Sequence, residues 1–208
     1  MSYYTRILTP SAARVPVAEL QAALKAAKVQ ARLEIEEGSA EEWKQLAVTD
    51  RDGGSVLTIE RNDVSEGGVG HDEIQEFLEE IPNYRPASAV KWLQNCLPTI
   101  RTIYAFQHLD GMSKASGRRI FDTLQTALWS KLGGIFQADN EGFSNEQGYH
   151  ILWQFGERVN GLWSMALRDE SGHWNQFQMD LGNSEHRESF KHGRIPAGCA
   201  LINKKQST

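Results

Sequence analysis

Cysteine is nearly absent. Only Cys96 and Cys199 occur in 208 residues. Two cysteines so far apart build neither a disulfide framework nor a thiolate metal cluster. Long apolar runs are missing as well. No stretch approaches the roughly 20 residues that a membrane helix needs, and the opening MSYYTRILTP has no apolar signal-peptide core. A soluble cytoplasmic protein with reduced thiols is the expectation. An excess of positive charge is also lacking. The net charge is -5, the wrong sign for gripping a phosphate backbone. Neither nucleic acid nor a membrane is expected as a partner.

Catalytic signatures are absent in turn. No Gly-x-Ser-x-Gly nucleophile motif occurs, and no Gly-x-Gly-x-x-Gly follows a strand and opens a helix. Gly67-Gly68-Val69-Gly70 comes nearest, but Glu66, Asp72 and Glu73 beside it repel an anion. By sign, Lys114, Arg118 and Arg119 make a better anion site. No His-x-x-x-His pair supports zinc, and the acidic turn from Asp139 lacks the bidentate glutamate of a calcium loop. No catalytic residue, metal or cofactor is expected on these grounds.

What is present is an ordinary globular composition with a lopsided charge. The first 100 residues hold ten Lys/Arg against sixteen Asp/Glu, and the rest hold twelve against eleven. Between Glu60 and Glu80 eight carboxylates meet one arginine, Arg61. His71 to Ile81 sets Ile74, Phe77, Leu78 and Ile81 on one stripe, which predicts an amphipathic helix. Its other face carries Asp72, Glu73, Glu76, Glu79 and Glu80.

Periodicity orders the rest. Strands are expected at Tyr3–Thr9, Val29–Glu36, Trp43–Thr49, Ser55–Arg61, Thr99–Leu109, Ile135–Ala138 and His173–Met179. A hairpin of Tyr149–Phe155 with Gly161–Arg168 joins them. Helices are expected over Val15–Lys28, Ala87–Leu97, Arg118–Lys131 and Ser184–Lys191. The order strand, helix, three strands, helix starts again at Thr99. Leu20-Gln21-Ala22-Ala23-Leu24 echoes Leu124-Gln125-Thr126-Ala127-Leu128, and Glu37-Gly38 echoes Glu141-Gly142 at the same offset. The fold class is therefore α+β, with two similar tandem halves of mainly antiparallel sheet and helices packed on one side. The halves span 1–98 and 99–203, pack into one body, and leave a disordered tail at 204–208.

Two functions follow as expectations. The first is a non-enzymatic binding protein of the bacterial cytoplasm, a toxin-neutralising immunity protein. Asp72, Glu73, Glu76, Glu79 and Glu80 would occlude a basic protein partner, since charge complementarity speeds encounter and fixes register. The alternative is a hydrolase or transferase built around the Asp139-Glu141-His150 loop, where paired carboxylates and a histidine allow acid–base chemistry.

Overall fold

Alternating apolar and polar residues build the first of two compact units in the computed structural model, which describes residues 3–202. Strands β1 (Tyr3–Thr9), β2 (Ala31–Gly38), β3 (Trp43–Asp50), β4 (Ser55–Asp63) and β5 (Thr102–His108) lie in the order β2-β3-β4-β5-β1. Each neighbouring pair among them is antiparallel. β3 shows why these stretches are strands: Trp43, Leu46, Val48 and Asp50 are buried while Lys44 is exposed. β5 differs, because its first five residues are all buried. A strand in that position reads as a continuous apolar run.

Helices α1 (Val17–Ala26) and α4 (Ala115–Leu132) pack against each other and on this sheet. Helical spacing turns Leu20 and Leu24 of α1, and Ile120, Leu124 and Leu128 of α4, into the core. The leucines that echo one another in the sequence thus occupy equivalent buried places on adjacent helices. The two Glu-Gly steps match as well. Gly38 and Gly142 have φ of 96° and 107°. A Cβ at either would sit 2.4 Å from the Glu42 carbonyl oxygen or 2.6 Å from that of Leu152. Only glycine fits both the backbone and the space.

The second unit holds α3 (Ala87–Cys96), β6 (Ile135–Ala138), β7 (Gly142–Phe143), β8 (Leu162–Arg168), β9 (Trp174–Asp180) and α5 (Ser184–Lys191). α2 (Val69–Glu80) carries the chain from the first unit into the second. β8 and β9 pair from Leu162↔Asp180 to Arg168↔Trp174. Met165, Leu167, Phe177, Met179 and Phe190 gather with Trp153 and Phe155 into this unit's core. Asn183 caps α5 by accepting from the Glu185 and His186 amides.

The α+β class with antiparallel pairing holds. Compactness, however, is distributed otherwise than over 1–98 and 99–203. The first unit joins the chain up to Glu73 with Ile100–Gly134, and the second joins Ile74–Thr99 with the chain from Ile135 onward. β5 therefore joins β4 to β1 in one sheet, and α4 packs on that sheet. The tail at 204–208 lies outside the described residues. No helix among the described residues is long and apolar enough to cross a membrane.

One expected element is different. Tyr149–Phe155 is not a strand of a hairpin, because β8 takes β9 as its full partner. The segment instead runs as irregular chain tied by single bridges, Ser144↔His150, His150↔Met165 and Arg85↔Trp153. Ile151, Leu152, Trp153 and Phe155 are all buried, so the apolar run records burial and not a ladder. The expected loop before it also contains β7, paired with β6 through Gln137↔Phe143.

Gly117 gives a test of this packing. Glycine inside a helix normally costs about 1 kcal/mol against alanine, so Gly117→Ala would ordinarily stabilise α4. Here the new Cβ would lie 2.1 Å from the Gly111 carbonyl oxygen, a backbone atom in the 3-10 turn Asp110–Ser113. Overpacking costs about 1–3 kcal/mol and wins. Thermal or urea unfolding of Gly117→Ala is expected to show a net loss of about 1–2 kcal/mol. A gain would mean that α4 is not docked on this turn.

Candidate functional site

α2 starts where β4 runs into a glycine-rich turn. The Gly68 amide donates to Ser65, and the Gly68 carbonyl accepts from the His71 and Asp72 amides. Ile74, Phe77 and, just past the helix, Ile81 are buried. That stripe leaves Asp72, Glu76, Glu79 and Glu80 exposed on the solvent side.

The five acidic residues do not share one environment. Glu73 is half-buried and forms an ion pair with Arg6, their side chains 17% and 13% exposed. It is committed to the fold. Asp72 lies 3.4 Å from His71 Nδ1. Glu76, Glu79 and Glu80 have neither hydrogen bond nor ion pair among the described residues. The last turn of α2 carries no basic residue. Glu79 and Glu80 thus stand at the negative end of the helix dipole, where acids are disfavoured by roughly 0.3–1 kcal/mol each. Glu76 also repels Asp72 and Glu80 at i,i+4 spacing, by about 0.2–0.5 kcal/mol per pair.

The second candidate set is partly brought together. Glu141 Oε2 lies 3.9 Å from His150 Nε2, and Asp139 is half-buried in the same turn. The loop is organised by Asn145, a residue that sequence inspection passes over. Its buried Oδ1 accepts from the Gln147 and Tyr149 amides, each at 3.0 Å. His150 is wedged by rings: Trp163 lies edge-on at 4.8 Å and Phe155 at 5.4 Å. Burial pushes the His150 pKa down to about 4, so desolvation outweighs the nearby carboxylate and the ring is neutral at pH 7. No group of three or more His, Cys, Asp or Glu among the described residues is arranged to hold a metal. Two cavities open elsewhere, in a groove of the first unit.

No family model, curated protein or solved structure matches the chain. The functional reading therefore rests on this geometry.

His150 makes stability depend on pH with a definite sign. The folded pKa is lowered from 6.5 to about 4. Below pH 6.5 the unfolded chain takes up the proton first, so stability falls as pH drops from 6.5 towards 4 and levels off below that. Between pH 7 and 4.5 the loss through this group is about 2–3 kcal/mol. Urea unfolding at the two pH values is expected to show His150→Gln losing less than the wild type by about that amount. Equal losses in both proteins would contradict a neutral, buried His150.

Proposed function

We propose that this is a non-enzymatic binding protein of the bacterial cytoplasm that neutralises a toxin by covering a basic surface with α2. One observation carries the reading. Glu76, Glu79 and Glu80 are exposed, unpaired among the described residues, and set against the helix dipole. A solvated helix face has no need of that arrangement, since a lysine in the last turn would stabilise α2. A partner bearing lysine or arginine removes both the dipole penalty and the mutual repulsion on docking. Charged rims of this kind chiefly raise the rate of encounter and fix register.

The alternative, a hydrolase or transferase, is favoured by the 3.9 Å approach of Glu141 to His150. A neutral imidazole beside a carboxylate is the right pair for general base work. Against it, the ring is covered by Phe155 and Trp163, which leaves little of it accessible to a substrate.

The test uses the triple variant Glu76→Lys, Glu79→Lys and Glu80→Lys, with Glu73 kept because it holds Arg6. The variant is expected to melt at the same temperature as the wild type or higher, gaining about 1 kcal/mol from the dipole and relieved repulsion. The partner to test is a secreted protein domain with a basic surface, sought among the products of neighbouring genes. Calorimetric affinity for it is expected to fall at least about tenfold, a loss of about 1.4 kcal/mol, and protection of co-expressing cells should be lost. Unchanged affinity would remove α2 as the interface. Failure of the wild type to protect would remove the immunity reading itself.

A further inference from the structure

The first unit holds a groove that the acidic helix does not explain. A cavity of about 700 Å³ and an adjoining one of about 370 Å³ share Lys28, Val29, Gln30, Asp50 and Arg51 along their lining. Their walls come from four places: the end of α1, the start of β2, the β3–β4 turn and the start of α4. Together these bring up Lys25, Lys28, Arg32, Arg51 and Arg119, a concentration of cations on a chain whose net charge is -5.

Charge accounting separates the committed cations from the rest. Asp50 is buried and accepts from the Gly54 and Asp52 amides and from Lys114. The Gly54 amide and Lys114 hold its pKa below the usual value. Arg51 leans on Asp52 and Arg32 on Glu34, both exposed pairs. Lys25, Lys28 and Arg119 have no acidic partner among the described residues. No side chain caps the start of α4, whose dipole adds positive potential beside Ser116 and Arg119.

Lys28 is the telling residue. The Val29 amide donates to the Leu24 carbonyl at 2.9 Å, closing the end of α1, and Lys28 takes φ of 54° within that closure. This is the left-handed position where glycine is favoured. A strained lysine is kept at a spot whose side chain lines both cavities. Strain of this kind points to function when an observed outlier faces a site.

The geometry points to a binding site for a nucleotide-sized phosphate ester. The phosphates lie against Arg119, Lys28 and the start of α4, and the organic body lies over the apolar strip of Leu24, Val29 and Ala31. Guanidinium forks match phosphate oxygens in pairs, and the groove volume falls in the range of small-molecule sites. The site is independent of α2, and its failure would leave the docking reading untouched.

Calorimetric titration with ADP and with inorganic pyrophosphate tests it on the full chain at low and moderate salt. ADP should bind saturably, more tightly than pyrophosphate, and more weakly as salt rises. Arg119→Glu should weaken ADP by at least about tenfold. Arg118→Glu makes the same change in net charge on an exposed neighbour outside the groove lining, and should leave the affinity unchanged. Lys28→Gly should raise the melting temperature while weakening ADP by several-fold. Absence of saturable ADP binding overturns the proposal. So does equal affinity for the two probes, equal weakening by Arg118→Glu, or full affinity in Lys28→Gly.

Discussion

β5 is the constraint on which the first unit depends. It is the strand between β4 and β1, and it pairs with both along its whole length. Remove it and β1 has lost this partner while β2, β3 and β4 are left as a separate meander. Its side chains also tie the layers together. Tyr104 lies against Trp43 at 5.8 Å, and Phe106 meets Phe121 of α4 edge-on at 5.5 Å. Aromatic pairs in this geometry add to the burial they already provide. Because β5 follows β4 by a long excursion through another unit, the first sheet closes only through distant pairing, the slow and entropically costly kind.

The same strand sets up the groove. After β5 the chain turns at Asp110–Ser113. Gly111 sits so near the Ser55 carbonyl that a Cβ would come within 2.6 Å. Gly117 then seats the first turn of α4 on Gly111. These two close approaches fix where α4 begins, and so bring Ser116 and Arg119 beside the β3–β4 turn. Lys114 lands on Asp50 as a consequence, neutralising the acid that would otherwise oppose an anion. Glycine here acts through the absence of a side chain, which lets backbone meet backbone.

Much of the fold was legible because each element writes its own period. Tyr3–Thr9, Ser184–Lys191 and the stripe of Ile74, Phe77 and Ile81 need no distant information. Tyr149–Phe155 reads as a strand because a buried irregular segment and a buried strand have the same composition. The interleaving of the units was not legible either, since the register of β5 against both β1 and β4 is a long-range property. The site divides the same way. The acidic face of α2 is local and readable. The removal of Glu73 from that face is not, because its partner Arg6 lies 67 residues away. Arg119 was noticeable only for its sign. Lys25, Lys28, Arg32 and Arg51 converge on the groove through tertiary packing, and the left-handed backbone of Lys28 leaves no mark on the sequence.

Cost distinguishes the candidate surfaces better than composition does. Local rules and global fold usually agree in a natural sequence, and places where they disagree are where function is expected. Glu79 and Glu80 oppose the dipole of their own helix. Lys28 occupies a glycine position. Each departure has a simple remedy, one lysine or one glycine, that would make the isolated protein more stable. The departures also have opposite charge, so one ligand cannot account for both. His150 and Glu141 show a different pattern. The imidazole lies among Phe155 and Trp163 in its neutral state, bridged on both sides through its backbone to β8 and Ser144. Its lowered pKa is what burial alone produces, and removing the proton settles the conflict between charge and environment. That residue is accounted for by packing, whereas Lys28 in its left-handed position and Glu79 and Glu80 against their own helix dipole are not.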